Sequence, residues 1–187
     1  QLLRECVGSN VKVVHIFTAG FAETGNEKGK ELQAELQSII QGGNTRVIGP
    51  NCMGVYCPGG GMSFNIRFPR EKGSVGVLSQ TGAGLQGFIP QADTKGIRFS
   101  KAISYGNGID LEASDFLESL AEDNETKLIF CYTEGLRNGR HFFEAARKCM
   151  EMKKPLIMLK AGLTEGGRGA VASHTASIAG SEKIWHG

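Results

Sequence analysis

Short apolar runs and amphipathic stretches follow one another along the chain. The first apolar run, 11–17 (VKVVHIF), is rich in β-branched residues and predicts a buried strand. Residues 27–40 repeat apolar side chains at helical spacing and predict a helix. A second short strand is predicted at 46–48, and the first few residues of the chain are also helix-like.

The same alternation restarts after a stretch rich in glycine and proline, GPNCMGVYCPGGG (49–61), which predicts a loop and a domain boundary. Beyond it, strands are predicted at 74–78, 98–104, 126–132 and 155–160. Helices are predicted at 83–95, 111–121, 139–152 and 175–186. Strands that alternate with helices of this length predict an α/β fold, with a parallel sheet covered by helices on both faces.

Composition narrows the class of protein. The 187 residues are 40% hydrophobic and 21% charged with a net charge of +2, as in an ordinary globular protein. We therefore expect no nucleic-acid partner, and the absence of an apolar run of roughly 20 residues argues against a membrane span. Five cysteines without a CxxC pair favour a reducing cytoplasmic compartment. The chain starts at Gln1 without a signal peptide, and we interpret it as an internal piece of a longer protein.

Small residues follow each predicted strand. Examples are TAGF (18–21), GPNC (49–52), SQTGAG (79–84), YGNG (105–108) and TEG (133–135). In an open parallel sheet such loops share the carboxyl edge, where ligands bind and where glycine lets backbone approach a ligand closely. The alternative is that glycine only ends these strands.

Two of these loops carry candidate chemistry. SQTGAG joins a strand to a helix, so the amides of Thr81, Gly82 and Ala83 lie near a helix N-terminus, which suits a phosphate. A plain helix cap is the alternative, since the sequence is neither a Walker motif nor GxGxxG. Glu134 directly follows a predicted buried strand and could orient a histidine or a substrate group. The alternative there is an acid on a surface loop.

Four histidines are candidates for acid–base or nucleophilic chemistry. We interpret His15 as a core residue of a strand, His141 as a solvated helix residue, and His186 as a residue near the chain end. His174 lies in a small-residue loop, SHTASIAG (173–180), after a glycine-rich stretch. No second ligand stands at metal-binding spacing, so we expect no metal site, and no GxSxG elbow accompanies a triad.

Taken together, six segments resemble the α-subunit part of the NDP-forming acyl-CoA synthetases. They are RVIGPNCMGV (46–55), GVLSQTGAGLQG (76–87), SYGNGIDLEASDFLESLAED (104–123), YTEGLRNGRHF (132–142), KPLIMLKAG (154–162) and SHTASIAGS (173–181). That family includes ADP-forming acetyl-CoA synthetase and is related to succinyl-CoA synthetase. This chain differs mildly, with Met53 where leucine is frequent and SHTA in place of SHTG.

The resemblance implies a domain plan. Residues 1–58 would be the C-terminal part of a Rossmann-like CoA-binding domain, 59–73 a linker, and 74–187 a flavodoxin-like phosphohistidine domain. The nucleotide, ATP or ADP with Mg²⁺, would bind to an ATP-grasp domain or β subunit that these residues do not include.

The resemblance also implies roles for residues. His174 would carry a phosphoryl group and Glu134 would hold its ring, while Gln80, Thr81, Gly82 and Ala83 would bind phosphate. The loops near CoA would contain Thr18, Ala19, Gly20, Phe21, Asn51 and Cys52. Residues near the acyl or carboxylate site would be Gly106, Asn107 and Asp110.

The implied reaction interconverts acyl-CoA, phosphate and ADP with free acid, CoA and ATP. Two alternatives remain from the sequence alone. One is a synthetase-like regulatory module of a protein acetyltransferase, and the other is a CoA-binding module without ligase activity. An intact His174 and Glu134 favour the ligase over both.

Overall fold

The computed structural model describes residues 1–162 and residue 164. His174, His186 and the helix predicted at 175–186 therefore lie outside the described residues.

The N-terminal part begins with helix α1 (Leu2–Gly8) and strand β1 (Val13–His15), followed by helix α2 (Glu27–Ile40) and strand β2 (Arg46–Ile48). β1 and β2 pair in parallel, with Val14 opposite Val47. The predictions of a helix at 27–40 and a strand at 46–48 are confirmed. Helix α2 starts where it does because the Asn26 side chain accepts a hydrogen bond from the Gly29 amide at 2.7 Å.

The strand predicted at 11–17 is shorter and less buried than expected. β1 covers only three residues, and Val13 on it is 51% exposed. The interpretation of His15 as a core residue is wrong, since the residue is exposed to solvent and only part of its ring is covered. The His15 ring instead lies against the α-carbon of Gly54 and the thiol of Cys52.

A second sheet forms the C-terminal part of the described chain. Its strands are β3 (Gly54–Tyr56), β4 (Val75–Ser79), β5 (Phe99–Ser104), β6 (Leu128–Thr133) and β7 (Leu156–Lys160), in the order β3-β5-β4-β6-β7. β4, β5, β6 and β7 are parallel to one another, whereas β3 runs antiparallel to β5. The predicted parallel sheet therefore carries one antiparallel strand at its edge. β3 lies inside the stretch predicted as a loop, and its backbone pairs with the second sheet although its residues fall in the range 1–58.

Helices cover both faces of this sheet, as predicted. α3 (Gly82–Thr94) packs on one face, where Leu85 and Ile89 meet Val77 of β4. α4 (Ala113–Glu122) and α5 (Gly139–Glu151) pack on the other face, against Leu78. Successive residues of β4 thus serve opposite layers, which is the period-two alternation of a strand buried on both sides.

One loop joins the two sheets. Residues 105–111, which follow β5, run along residues 47–51 through three backbone hydrogen bonds of 2.9–3.2 Å. They connect the amides of Asn107, Ile109 and Leu111 to the carbonyls of Pro50, Gly49 and Val47. The carboxyl ends of β2 and β5 therefore lie next to each other. No helix among the described residues is both long and apolar enough to cross a membrane.

Candidate functional site

A cleft of about 490 Å³ lies where the carboxyl ends of β1, β2 and β4 meet. It is lined by Phe17, Thr18, Ala19, Asn51, Cys52, Met53, Gln80, Thr81, Gly82, Ala83 and Gln86. Four residues that the resemblance assigns to CoA thus share one cavity with the four that it assigns to phosphate. Gly20 and Phe21 of the CoA set lie just beyond its wall, on the loop that leads to Glu23.

The N-terminus of α3 forms one wall of this cleft. Thr81 is the N-cap residue, and its hydroxyl accepts a hydrogen bond from the Gly84 amide at 3.3 Å. The helix-cap interpretation is therefore correct as far as Thr81 is concerned. It does not exclude an anion, because the first amides of a helix have no intrahelical acceptor and those of Gly82 and Ala83 lie at the cleft.

Gln80 connects this wall to the end of β6. Its side-chain oxygen accepts hydrogen bonds from the amides of Glu134 at 2.8 Å and Gly135 at 3.2 Å, and from the Thr133 hydroxyl at 3.3 Å. The side chain is only 6% exposed. Gln80 therefore fixes the position of Glu134 relative to the start of α3.

Glu134 follows β6 directly and is 3% exposed, so the alternative of a surface acid is wrong. The Tyr132 hydroxyl donates to its carboxylate at 3.2 Å, and the Lys160 ammonium donates to its backbone carbonyl at 2.7 Å. Burial, together with the charge of Glu134, raises the pKa of Tyr132 to about 12. Desolvation lowers the pKa of Lys160, although the nearby Glu134 opposes this shift. A carboxylate is thus held in place at the carboxyl ends of β6 and β7.

Gly106 and Asn107 lie on the loop that joins the two sheets, outside the lining of the cleft. Gly106 has φ +55°, and a side chain there would overlap the carbonyls of Pro50 and Asn51. The Asn107 amide nitrogen donates to Glu23 at 2.6 Å and to Gln33 at 2.9 Å, and its oxygen accepts from Asn51 at 3.3 Å. Asn107 therefore connects Asn51, which lines the cleft, to Glu23 on the neighbouring loop.

Glu23 was not identified from the sequence. Its carboxylate accepts hydrogen bonds from the amides of Gly20 at 2.6 Å and Phe21 at 3.1 Å as well as from Asn107. Burial raises the pKa of Glu23, but these hydrogen bonds outweigh burial and bring it below its usual value. An ionised Glu23 thus fixes the loop 18–21 that the resemblance assigns to CoA. Its position one turn before a predicted helix was the only sequence signal for Glu23. That signal does not reveal its partner Asn107, which is 84 residues away along the chain.

Asp110 lies apart from the cleft. Its carboxylate accepts hydrogen bonds from the Arg46 guanidinium at 3.0–3.2 Å and from the Val47 amide at 2.7 Å. It lines a different cavity of about 310 Å³, together with Arg137 and residues near the end of α2. The structure therefore gives Asp110 a role in joining the two sheets and does not bring it to the cleft.

Cys52, which lines the cleft, is in contact with His15. The Cys52 sulfur lies 3.2 Å from Nε2 of His15, and its side chain is 4% exposed. Burial raises the pKa of Cys52 to about 12, and burial lowers the pKa of His15. Both groups are therefore neutral at neutral pH, which makes Cys52 a wall of the cleft and not a thiolate nucleophile. Within residues 1–162, no three histidine, cysteine or acidic side chains are grouped as a metal site requires.

Most of the chain matches a known protein family. The model of the family described as succinyl-CoA ligase like flavodoxin domain matches residues 72–187. The chain belongs to this family. The predicted resemblance to the NDP-forming acyl-CoA synthetases is thereby confirmed, as is the prediction of an α/β fold with a flavodoxin-like part.

Proteins similar to this chain include ADP-forming acetate–CoA ligases. The chain is 45% identical over 185 residues to the α subunit of an ADP-forming acetate–CoA ligase II of Pyrococcus furiosus, covering 99% of this chain and 40% of that protein. An ADP-forming acetate–CoA ligase of Methanocaldococcus jannaschii is 40% identical, with 99% of this chain and 26% of that protein covered. The chain thus spans less than half of these relatives.

A solved structure shares the fold. It is an acetyl-coenzyme A synthetase 1 of Candidatus Korarchaeum cryptofilum, in complex with phosphate and ADP. It superimposes with a TM-score of 0.88 at 34% identity, covering 99% of this chain and 40% of that one.

Proposed function

We propose that this chain is the part of an NDP-forming acid–CoA ligase that handles the CoA ester and phosphate. The reaction would interconvert acyl-CoA, phosphate and ADP with free acid, CoA and ATP. The observation that carries the proposal is the cleft in which Thr18, Ala19, Asn51 and Cys52 face the N-terminus of α3. A thioester and a phosphate bound to these two walls would meet inside one cavity.

The amides at the start of α3 would hold the phosphate. They offer hydrogen-bond donors and the partial positive charge of a helix N-terminus without any protonation step. A phosphate oxygen would attack the thioester carbonyl, the carbon–sulfur bond would break, and CoA would leave as the thiolate. The product would be an acyl phosphate that remains next to the same amides.

His174 would then accept the phosphoryl group, and the free acid would leave. An imidazole with a pKa of roughly 6.5 is mainly neutral at neutral pH and can act as the nucleophile. The Glu134 carboxylate would accept a hydrogen bond from one ring nitrogen and leave the other nitrogen available to attack. The fixed position of Glu134 beside Gln80 supports this role, because it lies near the start of α3.

The phosphoryl group would finally pass to ADP on an ATP-grasp domain or β subunit, which would also hold Mg²⁺. GDP could replace ADP without any change in the described residues. We also propose a reducing, cytoplasmic location, which the free thiols of all five cysteines support.

The proposal is tested with the complete protein and its nucleotide-binding partner. Incubation with γ-labelled ATP should place label on the wild-type chain, and the label should be acid-labile as in phosphohistidine. His174→Ala should abolish labelling, and Glu134→Gln should lower its rate by at least about a hundredfold, within the range of general acid–base effects. Neither change should alter the circular dichroism spectrum.

His141→Ala is the matched control. His141 lies on the surface of α5, 3.5 Å from Glu118, far along the chain from the cleft-lining segments. Its loss should leave labelling and turnover unchanged. Full labelling of His174→Ala would refute the carrier role. A wild-type protein that binds CoA but never becomes labelled would favour a CoA-binding module without ligase activity.

A further inference from the structure

A lysine contacts Glu134 at the carboxyl end of β7. Lys160 is the last residue of that strand and is paired with Thr133 of β6, which directly precedes Glu134. Its ammonium donates hydrogen bonds to the backbone carbonyl of Glu134 at 2.7 Å and to that of Ala161. The side chain is half-buried; burial lowers the pKa of Lys160, and the charge of Glu134 opposes that shift. Lys160 is therefore a cation held next to the carboxylate that the proposed function needs.

Three side chains hold Glu134 from different directions. Gln80 accepts a hydrogen bond from its amide at 2.8 Å, Lys160 donates to its carbonyl, and Tyr132 donates to its carboxylate at 3.2 Å. The backbone of Glu134 is thus fixed on both its N–H side and its C=O side, by residues at the ends of β4 and β7. Of these three, Lys160 is the one whose charge is opposite to that of the carboxylate.

Hydrogen bonding alone does not explain why this position holds a charged group. Burying an ammonium costs free energy, and a neutral donor would satisfy the Glu134 carbonyl at a lower cost. A buried carboxylate has the complementary need, because out of water it requires donors or an opposite charge. Lys160 meets that need while it holds the backbone, and opposite charges desolvated together in this way are common at functional sites.

We propose that Lys160 is a positioning residue for phosphoryl transfer, which acts by holding Glu134 and balancing the charge of its carboxylate. The inference rests on the proposed function, in which Glu134 orients the ring of His174. Lys160 does not line the cleft assigned to CoA and phosphate. Its loss should therefore slow phosphoryl transfer and leave the binding of CoA unchanged.

The first test is the initial rate of labelling by γ-labelled ATP, in the complete protein with its nucleotide-binding partner. Lys160→Met nearly keeps the length of the side chain but removes the charge and the donors. It should slow labelling by about tenfold, the low end of the effect of losing a residue that supports a functional side chain. The KM for CoA should stay at the wild-type value. Lys160→Arg should recover most of the lost rate, because both acceptors are single carbonyl oxygens.

A double-mutant cycle separates positioning from a purely structural role. If Lys160 acts through Glu134, the two substitutions should not be additive. Lys160→Met should then change the labelling rate by less than about twofold in a protein that already carries Glu134→Gln, which is the scatter of such cycles. A loss of about tenfold in both backgrounds would overturn the inference.

Lys154→Met is the matched control. Lys154 is 8% exposed, and its ammonium also donates to two backbone carbonyls, those of Leu120 at 3.0 Å and Asp123 at 2.5 Å. It precedes β7 and so lies at the opposite end of the strand from Lys160. Its replacement should lower the melting temperature without slowing the labelling of the folded protein. An equal slowing in Lys154→Met and Lys160→Met would overturn the inference in favour of a general loss of stability.

The outcomes also separate this inference from the proposed function. A wild-type protein that never becomes labelled would overturn both. Labelling that depends on His174 but is unchanged in Lys160→Met would overturn only the role of Lys160.

Discussion

At the residue scale, Gln80 shows how one side chain can set the geometry of a site. Its oxygen accepts hydrogen bonds from the consecutive amides of Glu134 and Gly135, while its own backbone amide donates to Tyr132. The strand that leads into α3 and the strand that leads into Glu134 are therefore tied together at their ends. The distance between the phosphate wall and the carboxylate depends on this residue.

We predict that Gln80→Ala destabilises the protein by about 2–3 kcal/mol, because it leaves buried amides without an acceptor. Urea unfolding followed by circular dichroism measures this free energy. Gln86→Ala is the control, since Gln86 lines the same cleft from an exposed position on α3, and it should cost less than about 0.5 kcal/mol. Equal effects of the two changes would contradict the connecting role of Gln80.

Sequence reasoning found the residues at strand ends but not what supports them. Glu134 and the 80–83 segment follow apolar runs and lie next to glycines. This pattern involves only neighbouring residues, so the sequence alone can reveal it. Glu23 and Gln33 gain their meaning only from Asn107, which is 84 and 74 residues away along the chain. Contacts between residues so far apart leave no periodic pattern in the sequence. For the same reason, the sequence could not show that the loop residue Asp110 lies outside the cleft.

At the scale of elements, Gly106 and Gly87 differ in whether the structure requires a residue without a side chain. Gly106 adopts a positive φ and lies against two carbonyls, whereas Gly87 lies on an exposed turn of α3 with open space around it. We predict that Gly106→Ala costs at least about 2 kcal/mol through backbone strain and overlap. Gly87→Ala should instead stabilise the protein by about 0.5–1 kcal/mol through helix propensity.

Thermal unfolding monitored by calorimetry checks both changes on the same protein. The melting temperature should fall for Gly106→Ala and rise for Gly87→Ala. A stable Gly106→Ala variant would mean that residues 105–111 can move away from 47–51 without loss.

Element bounds were most predictable where the hydrophobic period was long and the termini carried clear signals. The helix at 27–40 has four apolar positions at helical spacing and an asparagine cap. β3 was missed because its three residues sit among glycines, prolines and cysteines, and only pairing with β5 makes them a strand. β1 was overestimated because its β-branched residues gave a signal of burial, while only one side of the strand is covered.

At the scale of the whole molecule, Asp110 adds a side-chain link to the backbone hydrogen bonds between the two sheets. It accepts from Arg46 of β2 and from the Val47 amide, so the exchange of that amide with solvent depends directly on it. We predict that Asp110→Ala speeds hydrogen–deuterium exchange at Val47 and Leu111 by at least about tenfold. Strand β6 should exchange as in the wild type, because its ladder lies inside the second sheet.

Lys72→Ala provides the control for Asp110. It removes the exposed ion pair of Lys72 with Glu125, and it should leave exchange at Val47 unchanged, since exposed pairs contribute little to stability. Unchanged exchange at Val47 in Asp110→Ala would mean that backbone bonds alone hold the two sheets together.

The position of strand β3 also limits where the polypeptide could be divided without disrupting the second sheet. It comes from the chain before the segment 59–73, yet it occupies the outer edge of the second sheet, and its Tyr56 ring packs on Phe68 and Phe99 at 5.2 and 6.4 Å. A polypeptide excised from residue 74 onward would lose that strand, leave one edge of β5 unpaired and remove the Tyr56 ring from Phe99. Exposed strand edges of this kind recruit other chains and lead to aggregation. We therefore expect an excision that keeps this sheet intact to begin upstream of Gly54.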